Sequence, residues 1–104
     1  MKWTYLFIAG FFEIFWAVGL KFSQGFSKIL PSIFTVIGML SSFYFLSLAL
    51  RKLPLSIAYA IWTGIGIVGT FLFGVFYFGE SISIAKIICV IMIIGGIAGL
   101  RILN

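Results

Sequence analysis

The sequence predicts an all-α membrane protein with four transmembrane helices. Three observations carry that prediction. The 104-residue chain is 63% hydrophobic and only 9% charged, against roughly 25% charged residues in a soluble domain. Its apolar residues fall into four runs, each close to the ~20 residues that cross ~30 Å of hydrocarbon. The runs are too long, and alternate too little, for transmembrane strands. No hydrophilic stretch is long enough to fold outside the bilayer, so residues 1–104 are expected to form a single transmembrane domain.

The first run, 3–20, follows Lys2. A basic start and the small residues Ala17-Val18-Gly19 resemble a cleavable leader. Glu13 and Trp16 suit a leader core poorly, and the run is long for one, so a retained helix is expected. The second run, about 29–50, is entered through Gly25 and Pro31. The third, about 55–78, begins just after Pro54. The fourth, about 84–102, follows Gly79-Glu80-Ser81. Glu80, near the start of that last run, is expected to complement the helix dipole in a structural role.

The net charge is +5, but the basic residues do not form a nucleic-acid-binding patch. Six lie in gaps or at chain ends, and Lys86 lies just inside the last run, as headgroup anchors do. With no His and a single Cys, Cys89, the chain has neither an internal disulfide nor a Cys/His metal site. No cofactor is expected. Sorted by side, Lys2, Arg51, Lys52 and Arg101 share one face of the membrane; Lys21, Lys28 and Lys86 share the other. So even a split gives the positive-inside rule almost nothing to act on. Insertion both ways round is therefore allowed, and two copies in opposite orientations can pair. Such a pair imitates the inverted repeats of larger transporters and supplies enough wall for a polar cavity.

Glu13 is one of only two carboxylates in the chain. It lies ten residues after Trp3, or ~15 Å along a helix, about half the ~30 Å core. A charge at that depth costs at least ~2.5–3.5 kcal/mol on insertion scales, so it needs a compensating role. On a helix, Leu6, Ala9, Gly10, Glu13, Trp16, Ala17 and Leu20 share one stripe, mostly small around the carboxylate. The Trp16 indole is placed to donate a hydrogen bond to Glu13 or to form a wall. Phe7, Phe11, Phe15 and Val18 lie opposite, toward lipid or packing.

Tyr59, Trp62, Thr63, Gly66 and Thr70 form a second polar stripe, on the third helix. They fit a cavity wall, although an interfacial aromatic belt is the alternative for Tyr59. Gly64 and Gly66 permit a kink; close helix packing also uses glycine. On the second helix Ser32, Thr35, Gly38, Met39, Ser42 and Leu46 share a face. Ser42 is deep enough to bond a carboxylate, or else it bonds its own helix backbone. Gly95 and Gly99 make a GxxxG pair, read as a close helix contact and candidate dimer interface.

With these residues in place, the chain resembles the small multidrug resistance family over essentially all its length. The resemblance rests on Glu13 in the first helix, Ser42, the Ala58-Tyr59-Ala60-Ile61-Trp62-Thr63-Gly64-Ile65-Gly66 segment, Gly79-Glu80-Ser81 and a glycine-bearing last helix. It implies an antiparallel, dual-topology homodimer in the cytoplasmic membrane that exchanges cations for protons. Gly10-Phe11-Phe12-Glu13-Ile14-Phe15-Trp16-Ala17, Lys21 to Ser27 and Pro31-Ser32 resemble the guanidinium-exporting branch rather than the drug-exporting one. The family's Lys near the C-terminus is Arg101 here, which keeps the charge but not the geometry.

By that resemblance Glu13 is the shared proton and substrate site, lined by Gly10, Trp16, Ser42, Tyr59, Trp62 and Thr63. A planar guanidinium matches a carboxylate through parallel hydrogen bonds and stacks on aromatic faces. Two alternatives stay open. One is export of quaternary ammonium or other lipophilic cations. The other is a non-transporting membrane subunit whose Glu13 pairs with a partner's basic residue. An enzyme is not expected, because no second catalytic group accompanies the deep carboxylate.

Overall fold

Each apolar run becomes one helix. The computed structural model describes residues 2–103, with α1 over Lys2–Ser23, α2 over Ile29–Ala49, α3 over Leu55–Phe76 and α4 over Ile84–Leu103. All four are long and apolar enough to span a bilayer. Their ends follow from local chemistry. After α1, Gln24, Gly25 and Phe26 all adopt positive φ, at 49°, 74° and 64°. Only glycine takes that conformation without a Cβ penalty. Ser23 holds the turn: its hydroxyl accepts from the Phe26 amide at 3.2 Å, and its carbonyl accepts from Ser27 and Lys28. Pro54 is extended, with φ −61° and ψ 145°, and α3 starts directly after it. At the head of α4 the Lys86 amide donates to the Ser83 hydroxyl at 3.3 Å, in the manner of an N-cap.

The helices form a slab of 40 × 35 × 17 Å, not a closed bundle. α1 packs against α2 and α3, while α4 packs closely only along α3. The buried core is small: Leu6 and Ala9 of α1, Leu46 and Ala49 of α2, Leu53 in the α2–α3 turn, and Ala58, Ile61 and Trp62 of α3. Helix α4 has no buried residue, and Cys89 lies exposed on it. Its link to α1 runs through Arg101, whose guanidinium lies 5.4 Å from the centre of the Trp3 ring and 5.8 Å from that of Phe7, a cation–π contact.

Close approach between helices is achieved at glycines. A Cβ on Gly10 would meet the Ile65 side chain at 2.7 Å, one on Gly38 would meet the Phe15 ring, and one on Gly64 would meet Ile97 of α4 at 2.7 Å. Gly64 thus seats α4 on α3. Helix α3, which contains Gly64 and Gly66, runs as one continuous helix from Leu55 to Phe76.

Candidate functional site

Glu13 sits midway along α1 and points toward α3. Its carboxylate lies against Gly66, where a Cβ would collide with Oε1 and Cδ. Gly66 is buried, so the missing side chain is what leaves room for the carboxylate. A turn further on, Gly69 does the same for Ile14. Glu13 Oε1 is buried and has no hydrogen-bond partner. A buried polar atom without a partner is costly and calls for an explanation in ligand binding or chemistry.

Trp16 does not supply that partner. Its indole Nε1 is also buried and without a hydrogen bond. The two side chains share a helical face, as their spacing dictates, but the Trp16 ring turns toward α2 and meets Phe43 edge-on, with centroids 6.5 Å apart.

Ser42 bonds neither a carboxylate nor its own helix backbone. Its hydroxyl donates across the helix interface to the Ala9 carbonyl at 2.7 Å. It accepts in turn from the Trp62 indole, whose Nε1 lies 2.8 Å away. Ser42 is fully buried and Trp62 is only 6% exposed. This two-bond chain therefore ties α3 to α2 and α2 to α1 one turn before Glu13. Trp62 is also enclosed by aromatic edges, with Phe43 at 5.9 Å and Tyr59 at 5.3 Å between centroids.

The remaining predicted lining residues divide. Gly10 is buried beneath Ile65, in a helix contact. Tyr59 is 53% exposed, on the open side of the slab. Thr63 spends its hydroxyl on the Tyr59 carbonyl at 2.7 Å. Thr70 does likewise on that of Gly66, also at 2.7 Å. Nothing lies within 4 Å of a Cβ built on Gly95 or Gly99, so the GxxxG face of α4 is uncovered. Phe43, which joins Trp16 to Trp62, was missed from sequence. Its signal was present: it lies four residues after Met39, beside the Ser42 stripe.

Glu80 lies in the loop before α4, as expected, but its carboxylate turns toward α3. Its amide donates to the Gly74 carbonyl at 3.1 Å, and its carboxylate folds back over Gly74 near the end of α3. Ser83, not Glu80, serves the first turn of α4. Two cavities flank α1. The larger, of about 650 Å³, is lined by apolar residues such as Phe11, Phe15, Pro31 and Phe34 and suits lipid. The smaller, of about 430 Å³, lies between α1 and α3 and carries Lys21, Thr70 and Glu80 on its walls.

Four helices long and apolar enough to span a bilayer, one of them carrying a deep carboxylate, define a multi-pass membrane protein. The chain belongs to the Small Multidrug Resistance protein family, whose pattern matches residues 1–93. Over 101 residues it is 52% identical to a guanidinium exporter of Proteus vulgaris, covering 97% of both chains. It is 48% identical to a guanidinium exporter of Yersinia pseudotuberculosis, again over 97% of each. A guanidinium exporter of Citrobacter freundii is 46% identical over 97% of this chain and 96% of its own.

Proposed function

We propose that this protein exports guanidinium across the cell membrane by proton-coupled antiport, with Glu13 carrying proton and substrate in turn. The observation that carries the reading is the Glu13 carboxylate at mid-helix, whose Oε1 is buried with no hydrogen-bond partner among the described residues. A guanidinium ion offers donors in a rigid planar fork that matches a carboxylate. Aromatic faces near such a site add cation–π attraction, and Trp16, Phe43, Trp62 and Tyr59 form a connected aromatic group that spans α1, α2 and α3. Relatives named as guanidinium exporters over nearly the whole chain support the substrate class, and favour export over the alternative of a non-transporting subunit.

The functional unit is an antiparallel homodimer. The near-even split of basic residues supports dual insertion, and the uncovered glycine face of α4 supports a contact between copies. Two Glu13 side chains then face one site. Protons and guanidinium compete for the same carboxylates, so a proton gradient drives the cation out.

The test is Glu13→Gln in liposomes. The amide keeps the shape and removes the charge and the titration. Uphill guanidinium movement driven by a proton gradient is expected to vanish. If Glu13→Gln protein still drives it, the reading fails.

A further inference from the structure

The cleft between α1 and α3 carries polar and charged residues on its walls, unlike the larger, apolar cavity. Its volume is about 430 Å³, and its walls carry Lys21, Thr70 and Glu80 among apolar residues. That is room for several waters and a small planar cation. Its lining begins at Ala17 on α1 and at Ile67 on α3. Ala17 is one helical turn, ~5.4 Å, after Glu13, and Ile67 directly follows Gly66, the residue against which the Glu13 carboxylate lies. The cleft therefore reaches to within about a turn of the deep carboxylate.

Its outer end holds the only other carboxylate in the chain. Glu80 folds back over Gly74, a position open to it because Gly74 has no Cβ. Gly74 lies eight residues beyond Gly66, or ~12 Å along α3. The Lys21 ammonium lies 5.5 Å from the centre of the Phe78 ring, and Phe78 lines the same cleft. A cation held against an aromatic face is thus already represented in this cleft by a tethered one.

We propose that this cleft is a vestibule for the transported cation, in which Glu80 gathers guanidinium at the membrane surface and delivers it toward Glu13. The proposal rests on the exporter reading. An anionic group at the mouth of a low-dielectric cleft raises local cation concentration and the rate of capture without touching the transition between conformations. Such an effect acts on KM, not on maximal turnover, and salt screens it.

Guanidinium flux in liposomes, measured over a concentration series at low and high salt, tests this. For Glu80→Gln the expected result at low salt is a KM raised about three- to tenfold with Vmax unchanged. The difference from wild type should close at about 1 M salt, where the Debye length is about 3 Å. Glu80→Asp, which keeps the charge, should restore most of the affinity. Gly74→Ala should raise KM by displacing the Glu80 carboxylate, but should have no further effect in a Glu80→Gln background, since both changes act through one group. An unchanged KM at low salt, a loss confined to Vmax, or an equal effect of Gly74→Ala in both backgrounds would overturn the vestibule. If wild-type protein moves guanidinium, Glu13→Gln abolishes it and Glu80→Gln leaves KM unchanged, only the vestibule falls. If wild-type protein moves none, the exporter reading falls and the vestibule with it.

Discussion

Ser42 makes two hydrogen bonds with one buried hydroxyl, so its removal affects both neighbours. In Ser42→Ala the buried Trp62 indole loses its acceptor. An unsatisfied buried donor costs ~1–3 kcal/mol, and thermal unfolding in detergent should register a loss of that size. Gly66 and Gly69 make a matched pair one turn apart. An alanine at Gly66 meets the Glu13 carboxylate, whereas one at Gly69 meets only the Ile14 side chain. Both are expected to lose stability, by ~1–3 kcal/mol of overpacking. Only Gly66→Ala should also weaken guanidinium binding, by about tenfold, or ~1.4 kcal/mol. Titration calorimetry on both variants distinguishes them; equal affinity would remove Gly66 from the site. At this scale the sequence was informative about identity and poor on partners. Glu13 stood out because a lone deep charge is costly wherever it points. That Trp16 turns toward Phe43 and Ser42 bonds Ala9 depends on rotamers and on which helices meet, and helical spacing specifies neither.

Helix boundaries were legible because apolar run length is set by bilayer thickness. Helix α1 continues to Ser23 rather than stopping near residue 20, since Lys21 and Phe22 still satisfy helical bonds before the positive-φ turn intervenes. The standing of α4 was not legible. Its sequence is as apolar as the others, yet none of its residues is buried within the protomer. A substitution on its glycine face separates the two explanations, lipid and a second copy. Leucine at Gly95 or Gly99 has no neighbour to strike within the chain, so protomer folding should be intact. Loss of the dimer in cross-linking or sedimentation, with helicity unchanged, is the expected outcome. A dimer that survives both substitutions would move the interface elsewhere.

For the whole molecule, the four-to-three division of basic residues and the open slab lead to the same expectation. Cysteine labels near a terminus should be partly protected on each side of the membrane. Labelling from one side only would rule out dual insertion, and one or two added lysines on a single face should fix the orientation. Coupling follows from the number of carboxylates. If a monovalent guanidinium requires both Glu13 side chains of a pair to be ionised, two protons leave for each cation that enters. Each exchange then moves one net charge, and voltage should act on it by ~2.3 kcal/mol per elementary charge per 100 mV. Currents on supported membranes test this; strictly electroneutral exchange would mean that one Glu13 titrates per cycle.

The Ala9 carbonyl has a further consequence. Glu13 follows Ala9 by four residues on α1, so in an α-helix its amide donates to that same oxygen. The oxygen also accepts from Ser42, using both of its lone pairs. A carbonyl with two donors vibrates at lower frequency than its singly bonded neighbours. A carbon-13 label at Ala9 should therefore give an amide I band set apart from the rest of the helix, and Ser42→Ala should return it to the main band. The peptide group beneath the deep carboxylate becomes a built-in infrared reporter of whether Trp62 and Ser42 are engaged while the protein works.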